Sequence, residues 1–180
     1  MAVEIEKKYR LTNEGAEPLR RRLEEVGAEG KGRAVFEENT IYTGPGLDPR
    51  LRVLRLRRTE SRAVFTFKER EQTDAAIKHQ REEETEVADA DALAAILDAL
   101  GYRAALVYEK RRATWIVAGA EVVLDELPFG LFVEIEGEEA TILAAEKLLG
   151  LESAQAEHSP YPELTLRHGT EHDGVIEARF

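Results

Sequence analysis

Two acidic doublets draw attention first, because their spacing suits them to hold a cation. Val3-Glu4-Ile5-Glu6-Lys7-Lys8-Tyr9 alternates with the period of a strand, with Val3, Ile5 and Tyr9 on one face and Glu4, Glu6 and Lys8 on the other. Same-face neighbours lie roughly 6.6 Å apart, twice the rise per residue, so Glu4 and Glu6 would repel by about 2–3 kcal/mol at an effective dielectric near 20. A divalent cation removes that cost. Val133-Glu134-Ile135-Glu136 repeats the pattern, and basic doublets match it, Arg55 with Arg57 in Leu54-Arg55-Leu56-Arg57 and Lys110 with Arg112, while Phe65-Thr66-Phe67-Lys68 puts Thr66 and Lys68 opposite two phenylalanines. If these strands share a sheet whose apolar faces turn outward against helices, the inner face holds separate acidic and basic clusters. That composition suits a metal-bound polyphosphate.

A linear triphosphate carries about four negative charges, and its transfer chemistry rests on positioning and charge neutralisation. Carboxylates hold Mg²⁺ or Mn²⁺ while Arg and Lys clamp the remaining oxygens. Glu4, Glu6, Glu134 and Glu136 fit the metal role; Lys8, Arg55, Arg57, Lys68, Lys110 and Arg112 fit the phosphate role. Lys8 and Lys110 are also the candidate catalytic groups. Neighbouring cations could lower a lysine toward a base; alternatively both stay charged and only bind phosphate. There is no glycine-rich Gly-x-x-x-x-Gly-Lys-Ser/Thr loop, no Gly-x-Ser-x-Gly elbow and no cysteine. Side chains must therefore hold the phosphates, with water or a substrate hydroxyl attacking directly.

Spacing predicts three helices to carry the strands' apolar faces. The first has Pro18 in its opening turn, Leu19, Leu23 and Val26 on one stripe, and Gly27 as its stop. The second follows Asp89 as N-cap, with Leu93, Ile96, Leu97 and Leu100 before Gly101; the third runs from about Glu138 through Ile142, Ala145, Leu148 and Leu149 to Gly150. Strand patterns fall near 3–10, 33–43, 51–58, 62–69, 80–87, 106–117, 121–126 and 131–137. Gly44-Pro45-Gly46 and Pro128-Phe129-Gly130 mark loops, and 70–79 reads as a mobile polar loop. Strand, helix, glycine and strand recur at an offset of 74 residues at Gly27 and Gly101, consistent with a barrel built from two related halves. Residues 167–180 show no firm pattern and read as an extended or disordered tail.

The chain resembles the CYTH superfamily, which takes in class IV adenylyl cyclases, thiamine triphosphatases and other triphosphate tunnel metalloenzymes. The resemblance starts at Glu4-Ile5-Glu6-Lys7-Lys8, the Glu-x-Glu-x-Lys signature, and continues through Leu54-Arg55-Leu56-Arg57, Phe67-Lys68 and Arg81-Glu82-Glu83-Glu84-Thr85-Glu86. Glu109-Lys110-Arg111-Arg112, Val123-Leu124-Asp125, Phe132-Val133-Glu134-Ile135-Glu136-Gly137 and Ser159-Pro160-Tyr161-Pro162-Glu163-Leu164 complete it in order. It implies an α+β domain over 1–166, a closed eight-stranded antiparallel β-barrel forming a triphosphate tunnel with helices packed outside, followed by the 167–180 tail. It implies Mg²⁺ or Mn²⁺ as cofactor and a triphosphatase acting on inorganic triphosphate, thiamine triphosphate or a nucleoside triphosphate. The alternative is a class IV adenylyl cyclase, which forms cyclic AMP and pyrophosphate on the same scaffold. Some relatives are dimers, which admits a homodimer here.

Several residues carry two readings. The middle Glu-x-Glu is Glu84 with Glu86, or the register turns Glu83 inward. Asp125 positions metal or a cation, or starts the turn at Glu126-Leu127-Pro128; Tyr161 reaches the tunnel mouth or packs on the barrel. His168 and His172 are spaced for metal on a helix, but Gly169 argues against the helix, and Trp115 reads as a packing residue. A solvated sheet face with weak surface ion pairs would explain any single charged strand; repetition over five strands argues against it. The net charge of -11, from 36 acidic and 25 basic residues, argues against a nucleic-acid backbone as partner. The absence of cysteine, of a leader-like start and of long apolar runs leads us to expect a cytoplasmic protein that does not enter membranes.

Overall fold

The computed structural model describes residues 2–12, 14–30, 33–70 and 80–180, with side chains described for 5–12, 14–30, 33–69 and 81–180. The Glu4 carboxylate, His79 and most of the 70–79 stretch therefore lie outside the described residues. The chain begins with β1 (Ala2–Glu4), β2 (Glu6–Leu11), α1 (Ala16–Glu25), β3 (Glu29–Gly30), β4 (Val35–Thr43), β5 (Arg52–Arg58) and β6 (Ala63–Arg70). It continues through β7 (Gln80–Val87), α2 (Ala90–Ala99), β8 (Arg103–Val117), β9 (Ala120–Leu127), β10 (Gly130–Glu136) and α3 (Glu139–Leu149). It ends with β11 (Gln155–Ala156), α4 (Tyr161–His168), β12 (Thr170–His172) and β13 (Val175–Ala178). Among the described residues this is an α+β fold of four helices and a large, mainly antiparallel sheet.

Two compact units divide the chain. The first comprises Met1–Val3, Phe36–Glu109 and Ser159–Phe180; the second comprises Glu4–Val35 and Lys110–His158. In the first unit β7, β6, β5 and β4 lie side by side, and their register puts Leu54, Leu56, Phe65, Phe67 and Tyr42 on one face. That face packs with Leu93 and Leu97 of α2 into an apolar core. In the second unit β8, β9, β10 and β2 are neighbours, and Val122, Leu124, Val133, Ile135 and Tyr9 meet Leu19 and Leu23 of α1 and Ile142, Ala145 and Leu149 of α3. In both units burial of apolar area fixes which face the charged residues must take, because a one-residue slip would exchange the faces.

The predicted helices form where spacing placed them. Asp89 caps α2 by accepting from the amides of Asp91 and Ala92 at 3.1 and 2.9 Å. Gly27 and Gly101 turn the chain with φ of 68° and 89°, a left-handed conformation that glycine adopts without steric cost. The apolar stripes are narrower than expected, since Ile96, Leu100 and Leu148 are exposed. A fourth helix, α4, begins behind Pro160 and buries Tyr161, Leu164 and Thr165. The 167–180 segment finishes α4 and then forms the β12–β13 hairpin, with β13 parallel to β8. Arg179 ties it down by donating to Glu38, Glu109 and Glu177 at 2.6, 2.9 and 2.9 Å.

Candidate functional site

On the side of the first unit's sheet away from its core, the register aligns Asn39 with Arg57, Ile41 with Arg55, Arg55 with Thr66, and Thr66 with Glu84. Lys68 faces Glu82 in the same rows, while Glu83 faces Phe67 on the core side. The ambiguous strand is thereby resolved: Glu82, Glu84 and Glu86 share the charged face. Glu84 accepts from Thr66 Oγ1 at 2.7 Å and lies 3.4 Å from both Arg55 and Arg57. Glu82 pairs with Lys68 at 2.8 Å and sits 4.0 Å from Arg55. Glu86 pairs with Arg62 at 3.5 Å, both side chains being well exposed.

Electrostatics keep this face ionised. Burial pushes the Glu84 carboxyl up, but the Thr66 hydroxyl and the Arg57 and Arg55 guanidiniums outweigh it and hold it below the usual carboxylate range. Burial likewise works against the charged form of Arg55, yet Tyr108 and Glu82 keep it firmly protonated. Tyr108 in turn lies beside Tyr161, ring centroids 6.1 Å apart and planes tilted by 53°, so Tyr161 packs against the tyrosine that meets Arg55.

In the second unit the register aligns Arg112 with Asp125, Asp125 with Phe132, Glu134 with Lys8, and Glu136 with Glu6. Asp125, 0% exposed, receives Arg112 through two bonds of 2.7 and 2.5 Å and Lys110 at 3.3 Å. Glu134 receives Arg112 at 2.5 Å and pairs with Lys8 at 3.2 Å. Burial raises the Glu134 carboxyl, but Lys8, Arg112 and Lys110 together drive it far below the carboxylate range. Burial lowers Lys8, and Glu134, Glu6 and Asp125 more than restore it, so its ammonium persists above the ordinary lysine value. A lysine held this way offers charge and proton donors.

Glu6 and Glu136 stand opposite each other across β2 and β10, a like-charge pairing that is unfavourable without a cation. Any donors that these two and Glu134 could offer a metal are oxygens, the kind a hard divalent ion takes. Among the described residues no three carboxylate or imidazole groups are already gathered in metal-binding geometry. On the opposite face of β2, Glu146 of α3 accepts from Lys7 at 2.8 Å and from Tyr9 at 2.7 Å. It grips the two side chains that flank Lys8 and so anchors the strand carrying Glu6.

The sequence candidates thus sort into two groups, Arg55, Arg57, Lys68 and Glu84 in one unit and Glu6, Lys8, Lys110, Arg112, Asp125, Glu134 and Glu136 in the other. Sequence reading overlooked Glu82, whose contact with Lys68 follows only from register, and the Asn39, Tyr108 and Glu146 side chains, which belong to no charged doublet.

The family model described as the CYTH domain matches residues 2–159. The chain belongs to the CYTH family. Among solved structures, the PH1012 protein of Pyrococcus horikoshii OT3 is similar at 25% identity and a TM-score of 0.75, covering 89% of this chain and 98% of its own. A Vibrio parahaemolyticus protein proposed to be an adenylate cyclase shares the fold at 24% identity and a TM-score of 0.69, over 90% of this chain and 97% of its own. A Hippeastrum protein whose dominant activity is that of a triphosphatase does so at 18% identity and 0.69, over 98% and 100% of the two chains. None of the curated proteins matches the chain. No helix among the described residues is long and apolar enough to cross a membrane.

Proposed function

We propose that this CYTH chain is a divalent-metal-dependent hydrolase of triphosphates, taking inorganic triphosphate, thiamine triphosphate or a nucleoside triphosphate. The observation that carries the reading is the pairing of Glu6 with Glu136 beside an ionised Glu134, next to cations on the same face. Mg²⁺ or Mn²⁺ held by Glu6, Glu134 and Glu136, with Glu4 as a fourth donor, would neutralise phosphoryl charge and supply a water of lowered pKa. Arg55, Arg57 and Lys68 bind phosphoryl oxygens, and Lys8, Lys110 and Arg112 steady charge at the leaving phosphate. Asp125 and Glu134 hold those last three cations in place.

Closure into a barrel belongs to the same proposal. Strand order in the first unit starts at β1, order in the second reaches β2, and Ile5 alone separates these strands in the chain.

Purified protein is incubated with inorganic triphosphate, thiamine triphosphate and ATP, each with Mg²⁺ and with Mn²⁺, and phosphate, pyrophosphate and cyclic AMP are resolved. Phosphate release is expected. Cyclic AMP with pyrophosphate would replace the hydrolase by the cyclase, and binding without turnover would remove catalysis altogether. Glu6→Gln is expected to abolish metal-dependent turnover with an unchanged circular dichroism spectrum; retained activity would take Glu6 out of the site.

A further inference from the structure

Asn39, on β4, is 0% exposed, and among the described residues neither its side-chain nitrogen nor its oxygen has a hydrogen-bond partner. The Arg55 Nε is likewise buried and unpartnered, although the other end of the same guanidinium meets Thr66 and Glu84. The register places both residues on the charged face, Asn39 opposite Arg57 and Arg55 one row further along β5. A buried amide or guanidinium N–H left unmade costs about 1–3 kcal/mol, and Thr40 beside it shows that this strand can bury a smaller polar residue. The orphaned atoms therefore mark a place shaped for something else. In these two residues they are the N–H groups of Asn39 Nδ2 and Arg55 Nε and one acceptor, Asn39 Oδ1; a Glu37 carboxylate oxygen, two positions back on β4, is buried without a hydrogen bond as well.

We propose that Asn39 is a substrate-contacting residue, one that deepens the triphosphate reading and rests on it. Its Nδ2 and Arg55 Nε donate to one phosphoryl oxygen, extending the grip of Arg57 along β4. Its Oδ1 accepts from an O–H or N–H donor adjacent to that oxygen. Such a donor has two sources, a protonated phosphoryl oxygen of the chain itself or a hydroxyl or amino group on the moiety the chain is esterified to. An acceptor-only anion satisfies just half of the amide.

The test compares wild type with Asn39→Leu and Asn39→Ala, measuring calorimetric affinity for inorganic triphosphate and for ATP and the urea midpoint of the ligand-free protein. Leucine fills a similar volume without polar atoms, so the expected midpoint is unchanged or higher while affinity falls at least about fivefold. A fall with inorganic triphosphate places the donor in the phosphate chain; a fall with ATP alone places it in the esterified group. Unchanged affinity for both ligands in both variants overturns the inference, as does a lowered midpoint with affinity intact, which would make Asn39 structural. If wild type binds neither ligand, the triphosphate reading fails and this inference falls with it.

Discussion

The two charged faces solve the burial of charge in opposite ways. In the second unit the cations Lys8, Lys110 and Arg112 and the carboxylates Asp125 and Glu134 satisfy one another in a buried network. In the first unit Arg55 and Arg57 share Glu84, which is 39% exposed on its side chain, and buried polar atoms of Asn39 and Arg55 stay unpartnered. A closed network stabilises the folded chain whether or not a ligand arrives. An open one gives up stability that only a ligand returns. On the proposed triphosphate reading the second face is a preset electrostatic frame, and the first is the surface that would take hold of an anion.

Removing the keystone of the closed network is the strongest way to break this contrast. Asp125→Asn takes from Lys110 and Arg112 the carboxylate they share, and stripping one partner from a buried ion pair costs about 3–5 kcal/mol. Glu84→Gln in the first unit is expected to cost under about 1 kcal/mol, because its pairs are part-exposed and screened. Urea denaturation of both variants checks this. Equal losses would mean that the two faces do not differ in the way described.

A smaller effect tests how the frame is anchored. Burial raises the Glu146 carboxyl, while Lys7 and Tyr9 depress it to a net value below the ordinary carboxylate range. Because the folded value is the lower one, the stabilisation is full above the unfolded carboxylate pKa and is lost as pH falls through the depressed folded value. Glu146→Gln is therefore expected to cost about 1.5–3 kcal/mol at neutral pH, typical of hydrogen bonds to a charged group, with the deficit shrinking in acid. Tyr9, raised by its burial and by Glu146, should titrate at lower pH in the variant, which ultraviolet absorbance follows. A deficit constant down to strongly acid pH would show that the carboxylate charge is not what anchors β2.

Much of this arrangement was legible in the chain, for identifiable reasons. Period-two alternation around Arg55 and Glu134 reveals which face is charged, and leucines before Gly27 and Gly101 reveal the helices that cover the other face. Register is a different matter. Parity within one strand places Glu82, Glu84 and Glu86 together, but only the pairing with β6 tells that Glu82 meets Lys68 while Glu86 turns to Arg62. Asn39 gave no signal because one asparagine in a strand is unremarkable until its partners can be counted. The helix α4 escaped notice since Tyr161 and Leu164 are too few to show a period around Pro160 and Pro162, and the tail hairpin is pinned by Glu38 and Glu109, distant in sequence.

That hairpin supplies the smallest expected effect and the sharpest control on the first unit. Arg179 touches three carboxylates, yet its side chain is 38% exposed, so solvent and salt screen each contact. Arg179→Ala should cost below about 1 kcal/mol, and less at high ionic strength than at low. The second unit's network, shielded from salt by burial, should keep its Asp125→Asn penalty nearly constant over the same range. Urea midpoints at two salt concentrations compare the slopes directly. A large, salt-insensitive Arg179 penalty would mean that the first unit also depends on a closed ionic frame, and the distinction between an electrostatic scaffold and a ligand-gripping face would no longer follow from the ion pairs.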